Sequence, residues 1–297
     1  MPLLYYLAPL GTVLIWSGNM TINQLTVGTI APSSIAFLRW VLALLVLTPF
    51  VLPKAWQYRA TIRKEWHKLA ALGLLGMALW QGLAYLAAET TSATNMGILA
   101  AMVPLLTVLL SALILREAPT LGGTLGGLLA LAGVAVLLGR GNPLSLLSLE
   151  VAIGDALMVV AAICYALYGV MLKRWPFDLP PWVLLYAQVC FAVLLLLPGY
   201  LLGPMTPISS QNVGLILYAG IPASIVTTFL WMLAIRQIGA SQSSIFINLM
   251  PLFSAIIAMV FLNERVAGFH LYGGVLVLAG VILAQTVTRP IRSRASI

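Results

Sequence analysis

An arginine stands inside an apolar run. In PSSIAFLRWVLALLVLTPF, Arg39 lies seven residues in from Pro32, or roughly 10 Å along a helix at about 1.5 Å per residue. A guanidinium in such a place faces a bundle interior by default. Its planar fork suits a carboxylate, so one chemistry open to it is capture of an anionic group. The other is structural: tying down carbonyls or a helix end near Ser33 and Ser34. Gln81 and Tyr85 fall on one face of a later helix, with Met77 and Trp80 beside them. Trp16, Asn19 and Asn23 share an earlier run, Asn95 opens another, and Tyr165 and Tyr168 share a later one. Thr227, Thr228, Trp231, Ser244 and Asn248 follow. Together they form an aromatic wall with a few polar handles, the usual make-up of a small-molecule site. Singly, each Trp or Tyr serves equally well as an interface anchor or a packing residue.

The elements that must position these residues are membrane spans. The chain has 297 residues, 62% hydrophobic and 7% charged, with mean hydropathy +1.06. Soluble domains carry about 25% charged residues, and a spanning helix needs roughly 20 apolar residues. Apolar runs fall at 3–25, 32–52, 68–88, 94–115, 119–139, 149–172, 181–202, 212–235, 241–262 and 266–287, separated by breakers such as Pro53 and Pro180-Pro181. The expectation is an all-α polytopic membrane protein with ten spans. Its N-terminus reads as a retained first helix, not a cleaved signal, because no positive n-region precedes the apolar stretch. Cys164 and Cys190 both sit in apolar runs and read as small core residues.

The net charge of +8 sits in loops and the tail, the mark of membrane orientation and not of nucleic-acid binding. Lys54, Arg59, Arg63, Lys64, Lys68, Arg116, Lys173, Arg174, Arg236, Arg289, Arg292 and Arg294 fall on one side of a ten-span layout. Arg140 and Arg265 fall on the other. The asymmetry puts both termini in the cytoplasm.

The chain also writes one passage twice. MVPLLTVLLSALILREAPTLGGTLGG (102–127) matches LMPLFSAIIAMVFLNERVAGFHLYGG (249–274). At a fixed offset, Pro104 meets Pro251, Glu117 meets Glu264, Gly126-Gly127 meet Gly273-Gly274, and Gly73 meets Gly220. Earlier in each half the offset grows by two, so Trp16 meets Tyr165, Pro32 meets Pro181, and Arg39 meets Gln188. The reading is two five-helix repeats, 1–142 and 143–297. Five is odd, so the second repeat enters the membrane inverted. That symmetry supports alternating access around a midplane site; the plainer alternative is duplication for fold economy. Pro104 and Pro251 are the candidate gating or kink positions. Glu117 and Glu264 are expected to cap the next helix. The paired glycines, including Gly122, Gly123, Gly126, Gly273 and Gly280, are expected to pack helices closely.

Ile15-Trp16-Ser17-Gly18-Asn19, Phe37-Leu38-Arg39 and the paired proline-to-Gly-Gly stretches give the chain a resemblance to the drug/metabolite transporter superfamily, EamA type. It extends over nearly the whole chain, and is nearest to the superfamily's aromatic amino acid exporters. The resemblance implies export of amino acids or similar amphiphilic metabolites, a central cavity built by the first four helices of each half, and peripheral fifth helices. The candidate substrate residues are Trp16, Asn19, Arg39, Gln81, Tyr85, Asn95, Tyr165, Tyr168, Trp231 and Asn248.

No cofactor, catalytic residue or metal site is expected. An intramembrane enzyme would want His-Glu-x-x-His or paired membrane aspartates, and neither is present. A lipid flippase would want a polar groove open to lipid. A nucleotide-sugar carrier would want several deep cations, and efflux of lipophilic cations a deep carboxylate. Glu89, Glu150, Asp155 and His270 all fall near span ends, Asp155 being the best candidate for proton coupling. The partners expected are a small-molecule substrate and the lipid bilayer, with multidrug efflux as the second reading.

Overall fold

In the computed structural model, residues 3–91, 93–148, 152–261 and 268–287, together with Arg289, are described. They fold as helices joined by turns: α1 (Leu7–Thr26), α2 (Pro32–Gln57), α3 (Trp66–Ala88), α4 (Ala93–Ala100), α5 (Val103–Leu115), α6 (Leu121–Leu138), α7 (Ile153–Arg174), α8 (Pro181–Leu202), α9 (Val213–Ile238), α10 (Ala240–Ile245), α11 (Met250–Phe261) and α12 (Gly268–Thr286). Among the described residues α2, α3, α7, α8 and α9 are each long and apolar enough to cross a bilayer, and α5, α6 and α12 contain shorter apolar helices. The chain is a polytopic, all-helical membrane protein.

Local chemistry sets most boundaries. Pro32 and Pro181 open α2 and α8, where a missing N–H costs nothing. Gly239, at φ 87°, ends α9, a backbone angle that L side chains resist. Thr120 caps α6 by accepting from the Gly123 N–H at 3.0 Å. Glu117, expected in that role, pairs instead with Lys173; Glu264 and Arg265 lie outside the described residues. Pro53 does not stop its helix, as the breaker pattern predicts. The helix passes through Pro49 and Pro53 to Gln57. Leu52, Pro53 and Lys54 are exposed there, so the polar groups that proline frees lie near the surface.

The basic stretch after α2 folds as a short surface helix, Arg59–Lys64. Trp56 and Trp66 flank it, both exposed, and the Arg59 guanidinium covers the Trp56 ring at 5.4 Å.

Irregularities recur at the repeat offset. Within α3 the turn Leu74–Leu79 is π-helical, and within α9 so is Ile221–Val226. The fourth apolar run breaks at Ala101–Met102, and Pro104 sits in the first turn of α5. Its counterpart breaks through the 3-10 turn Phe246–Leu249, with Pro251 in the first turn of α11. Each proline thus sits just after the break in its run, in the first turn of the helix that follows.

Glycines let the helices touch backbone to backbone. A Cβ on Gly73 of α3 would lie 2.7 Å from the Gln188 carbonyl of α8, and one on Gly220 of α9 would lie 3.0 Å from the Arg39 carbonyl of α2. These two contacts exchange under the repeat alignment. The same holds for α6 and α12. Gly126 abuts the Gly280 carbonyl, and Gly133 abuts the Gly273 carbonyl. Residue numbers rise along α6 as they fall along α12, so the pair is antiparallel. The expected small-residue packing is present, in the absence of any hydrophobic drive between lipid-bathed helices. The outward faces of this pair carry Leu121, Leu125, Leu128, Leu271, Val275 and Ile282, all exposed, as a lipid-facing surface would.

The seam generates a stability test. A methyl on Gly126 would stand 2.7 Å from Ala284 N, so Gly126→Val is expected to cost about 1–3 kcal/mol by overpacking. It should appear as a lowered melting temperature in detergent. Gly127→Ala, whose added carbon meets only Leu105 Cδ2 at 3.4 Å, should leave melting unchanged.

Candidate functional site

Arg39 is fully buried, and is the only charged side chain among the described residues that is. Its hydrogen bonds run to both halves of the chain. On α3, Nη1 donates to Gln81 Oε1 at 2.9 Å and to Tyr85 OH at 3.0 Å. On α9, Nε donates to Ser224 Oγ at 2.8 Å and Nη2 to the Ala223 carbonyl at 3.0 Å. The guanidinium also lies 5.5 Å from the Trp40 ring centroid and 5.9 Å from that of Tyr85. Every one of these partners is neutral. Among the described residues the ion pairs are Lys68–Glu65 and Lys173–Glu117, so the buried cation has no described counter-ion. Of the five N–H donors on a guanidinium, one on Nη2 has no partner among the described residues.

The structural alternative, in which Arg39 ties a helix end near Ser33 and Ser34, is not what the chain adopts. Ser34 serves the Pro204–Thr206 turn instead: its Oγ donates to the Pro204 carbonyl and accepts from the Thr206 N–H. The carbonyl that Arg39 does hold belongs to the π-helical turn of α9. A widened turn loosens the regular ladder and leaves carbonyls open to side chains. Ala223 accepts from both Arg39 and the Thr227 hydroxyl, 2.8 Å away. The Thr227 hydroxyl in turn accepts from Trp16 Nε1 at 3.0 Å.

Around this clamp stands an aromatic box. Trp16 meets Tyr165 edge-on at 5.7 Å and Trp231 at 5.2 Å; Tyr165 lies 4.7 Å from Trp80, 5.7 Å from Tyr168 and 5.9 Å from Trp231. Edge and tilted contacts of this kind suit the ring quadrupoles. Box and clamp line one cavity, with Trp16, Arg39, Trp80, Gln81, Tyr165 and Trp231 on its walls. Only about 10 Å³ is open to a water-sized sphere, room for about one water. Three more lining groups have no hydrogen-bond partner among the described residues: Trp40 Nε1, Tyr168 OH and Trp231 Nε1. Unpaired buried polar groups are costly, so three around one cavity call for a reason.

Seven of the ten candidate residues come together here: Trp16, Arg39, Gln81, Tyr165, Tyr168 and Trp231 on the cavity, and Tyr85 on the guanidinium. Asn19 lies one turn beyond Trp16 and donates to Asn23 Oδ1 at 3.1 Å, off the cavity. Asn248 is buried in the 3-10 turn, both amide atoms unpartnered, and it does not line the cavity either. The side chain of Asn95 lies outside the described residues. Asp155 caps the start of α7: its Oδ2 accepts from the Ala152 N–H at 2.8 Å, and its Oδ1 from the Thr91 hydroxyl.

Sequence reasoning missed Trp40, Gly76, Ala223 and Ser224; Trp80 and Thr228 stood in the wider aromatic and polar cluster but not among the ten candidates, and both line the cavity. Trp80 and Gln81 are consecutive, yet both reach the cavity just after the π-helical turn, where regular periodicity fails. Pro222, in the matching turn of α9, is the signal that could have marked it, since proline removes a ladder N–H. Gly76 admits the Tyr168 ring, which a Cβ would meet at 2.5 Å.

Comparison with known proteins places this geometry. The chain is 29% identical over 290 residues to the uncharacterized transporter YyaM of Bacillus subtilis (strain 168), covering 96% of this chain and 94% of that one. It is 26% identical over 242 residues to a probable terminal-alkyne amino-acid exporter of Streptantibioticus cattleyicolor, covering 77% of this chain and 76% of the relative. A solved crystal structure matches with a TM-score of 0.78 at 21% identity, covering 97% of this chain and 99% of that one; that likeness speaks for the fold. A sequence profile of the EamA-like transporter family matches residues 3–139 and again 152–286. With nearly its whole length matched, the chain belongs to the EamA-like transporter family.

Proposed function

We propose that this protein exports amino acids, chiefly aromatic or neutral ones, and related small metabolites from the cytoplasm across the inner membrane. The observation that carries the reading is the buried guanidinium of Arg39, held by neutral groups alone inside an aromatic box. A substrate carboxylate would supply the missing counter-charge. The spare Nη2 hydrogen and the unpartnered Trp40, Tyr168 and Trp231 donors are the groups such an anion would satisfy. The aromatic walls suit an apolar or aromatic side chain. One relative's name, a probable amino-acid exporter, points the same way.

In this reading the molecule has ten spans in two inverted repeats, 1–142 and 143–297. Support comes from the family profile matching twice, from π-helical turns recurring at the repeat offset, and from the antiparallel contact of α6 with α12. The cavity holds one water's worth of space, so the described state is closed and solute enters only when the repeats rock apart. Pro104 and Pro251, at the interrupted helices, are where that rocking bends the chain. Multidrug efflux is the second reading. It is favoured by the apolar box but opposed by the site's charge, since a lipophilic cation would meet Arg39 with no described carboxylate nearby.

Counterflow in proteoliposomes tests this. Vesicles loaded with unlabelled phenylalanine should concentrate labelled phenylalanine with no ion gradient, whereas a cationic dye should not exchange. Exchange of the dye alone would leave multidrug efflux as the function.

Arg39→Gln should lower apparent affinity for phenylalanine by about 10- to 100-fold, the worth of a charged hydrogen bond. Arg39→Lys keeps the charge but loses the fork; it should bind in between, and melting curves would separate folding loss from affinity loss.

None of the described carboxylates is fully buried, and a proton-driven carrier ordinarily needs one deep in the membrane. Steady-state phenylalanine distribution should therefore stay the same whether the outside is at pH 6 or pH 8. Accumulation that follows the gradient would place a coupling group among residues other than the described carboxylates.

A further inference from the structure

A second, larger cavity of about 250 Å³ lies away from the aromatic box, between α5, α6, the start of α10 and the ends of α7 and α9. Glu117 and Lys173 face each other across it, Nζ to Oε1 at 2.6 Å. Glu117 comes from the first half of the chain and Lys173 from the second. Ser111 and Ser241, also one from each half, hydrogen-bond on its wall at 3.1 Å. Two unusual backbone angles hold the charges in place. Arg116 adopts a left-handed φ of 56° at the end of α5, turning the chain so that Glu117 follows. Gly239, at φ 87°, gives passage to Lys173, whose Nζ would lie 3.3 Å from any Cβ there. Arg116, Lys173, Arg174 and Arg236 all lie at this end of the helices, the face that the charge count assigns to the cytoplasm.

We propose that this cavity is the cytoplasmic entry site for zwitterionic solutes, and that the solute opens the Glu117–Lys173 pair by replacing it. The solute's ammonium takes Glu117 and its carboxylate takes Lys173. Both side chains are over a third exposed, and an ion pair so placed is a weak tie. The exchange conserves charge: the cavity holds one of each sign before, and two of each after. A lone cation or a lone anion breaks the pair and strands one partner, so the cavity selects zwitterions before they reach Arg39. The proposal rests on the amino acid reading for the solute's identity, but concerns a different place in the chain.

Ser241→Cys reports on the cavity, in a background with Cys164→Ala and Cys190→Ala. The full-length protein in nanodiscs is labelled with a polar maleimide. The probes are phenylalanine, phenethylamine (cation only) and 3-phenylpropionate (anion only). Phenylalanine should slow labelling at least fivefold, and the other two should not. Protection should vanish in Glu117→Gln and in Lys173→Met. It should vanish in Lys173→Glu and return in the swap of Glu117→Lys with Lys173→Glu. It should persist in Arg39→Gln. Gln242→Cys, also on the wall, is the second reporter should the first variant fold poorly. Protection that survives Lys173→Met, or that disappears in Arg39→Gln, overturns the proposal. So does failure of every zwitterion to protect. Counterflow without protection would sink the entry site and leave the exporter standing; protection without counterflow would do the reverse.

Discussion

One guanidinium joins the two halves of this molecule. Arg39 departs from α2, collects Gln81 and Tyr85 on α3, and crosses to Ser224 and the Ala223 carbonyl on α9. Removing such a charge from water costs several kcal/mol even after relaxation, and no described carboxylate offsets it. The fold instead surrounds it with neutral dipoles and two ring faces. The π-helical turn of α9 offers the carbonyl, and Gly220 lets α9 approach the α2 backbone closely enough for the reach. Altering any of these parts leaves a buried cation short of acceptors.

The repeat alignment gives this arrangement a neutral counterpart. Where the first half has Arg39 against Gly220, the second has Gln188 against Gly73. Among the described residues Gln188 donates to the Leu184 carbonyl and the Met232 sulfur, and its own carbonyl has no partner. The same backbone geometry thus occurs twice, with charge on one side only. Under the proposed function, this asymmetry lets the two halves offer different groups to a solute.

Much of this was legible in the sequence. Five of the expected spans followed from apolar length, and the breaks before Pro104 and Pro251 from proline's missing N–H. Seven of the site residues followed from polar or aromatic type and helical spacing. What escaped has physical reasons. Ala223 acts through its backbone carbonyl, which no residue code displays. Trp80, in the wider cluster but not among the ten candidates, reaches the cavity beside Gln81 because a π-helical turn shifts the phase that regular spacing assumes. Asn19 and Asn248 looked equivalent to the residues that converge, but polarity does not say which way a helix turns its face. Glu117 looked like a cap because it precedes a helix; Thr120, three residues later, has the shorter reach to Gly123.

The glycine seam between α6 and α12 has a further meaning in time. Gly280, which Gly126 abuts, follows it by 154 positions (280 − 126). At about 5–20 residues per second, α6 waits in the bilayer roughly 8–30 s before its partner is made. Throughout that interval its small-residue groove faces lipid, which packs against glycine less well than another helix does. The chain is therefore left with a half-finished surface during its own synthesis, and crowding of nascent copies would favour pairing α6 with a helix of another copy. Close packing that secures the finished molecule is, during biogenesis, a reason for the two halves to be made on one chain, in quick succession.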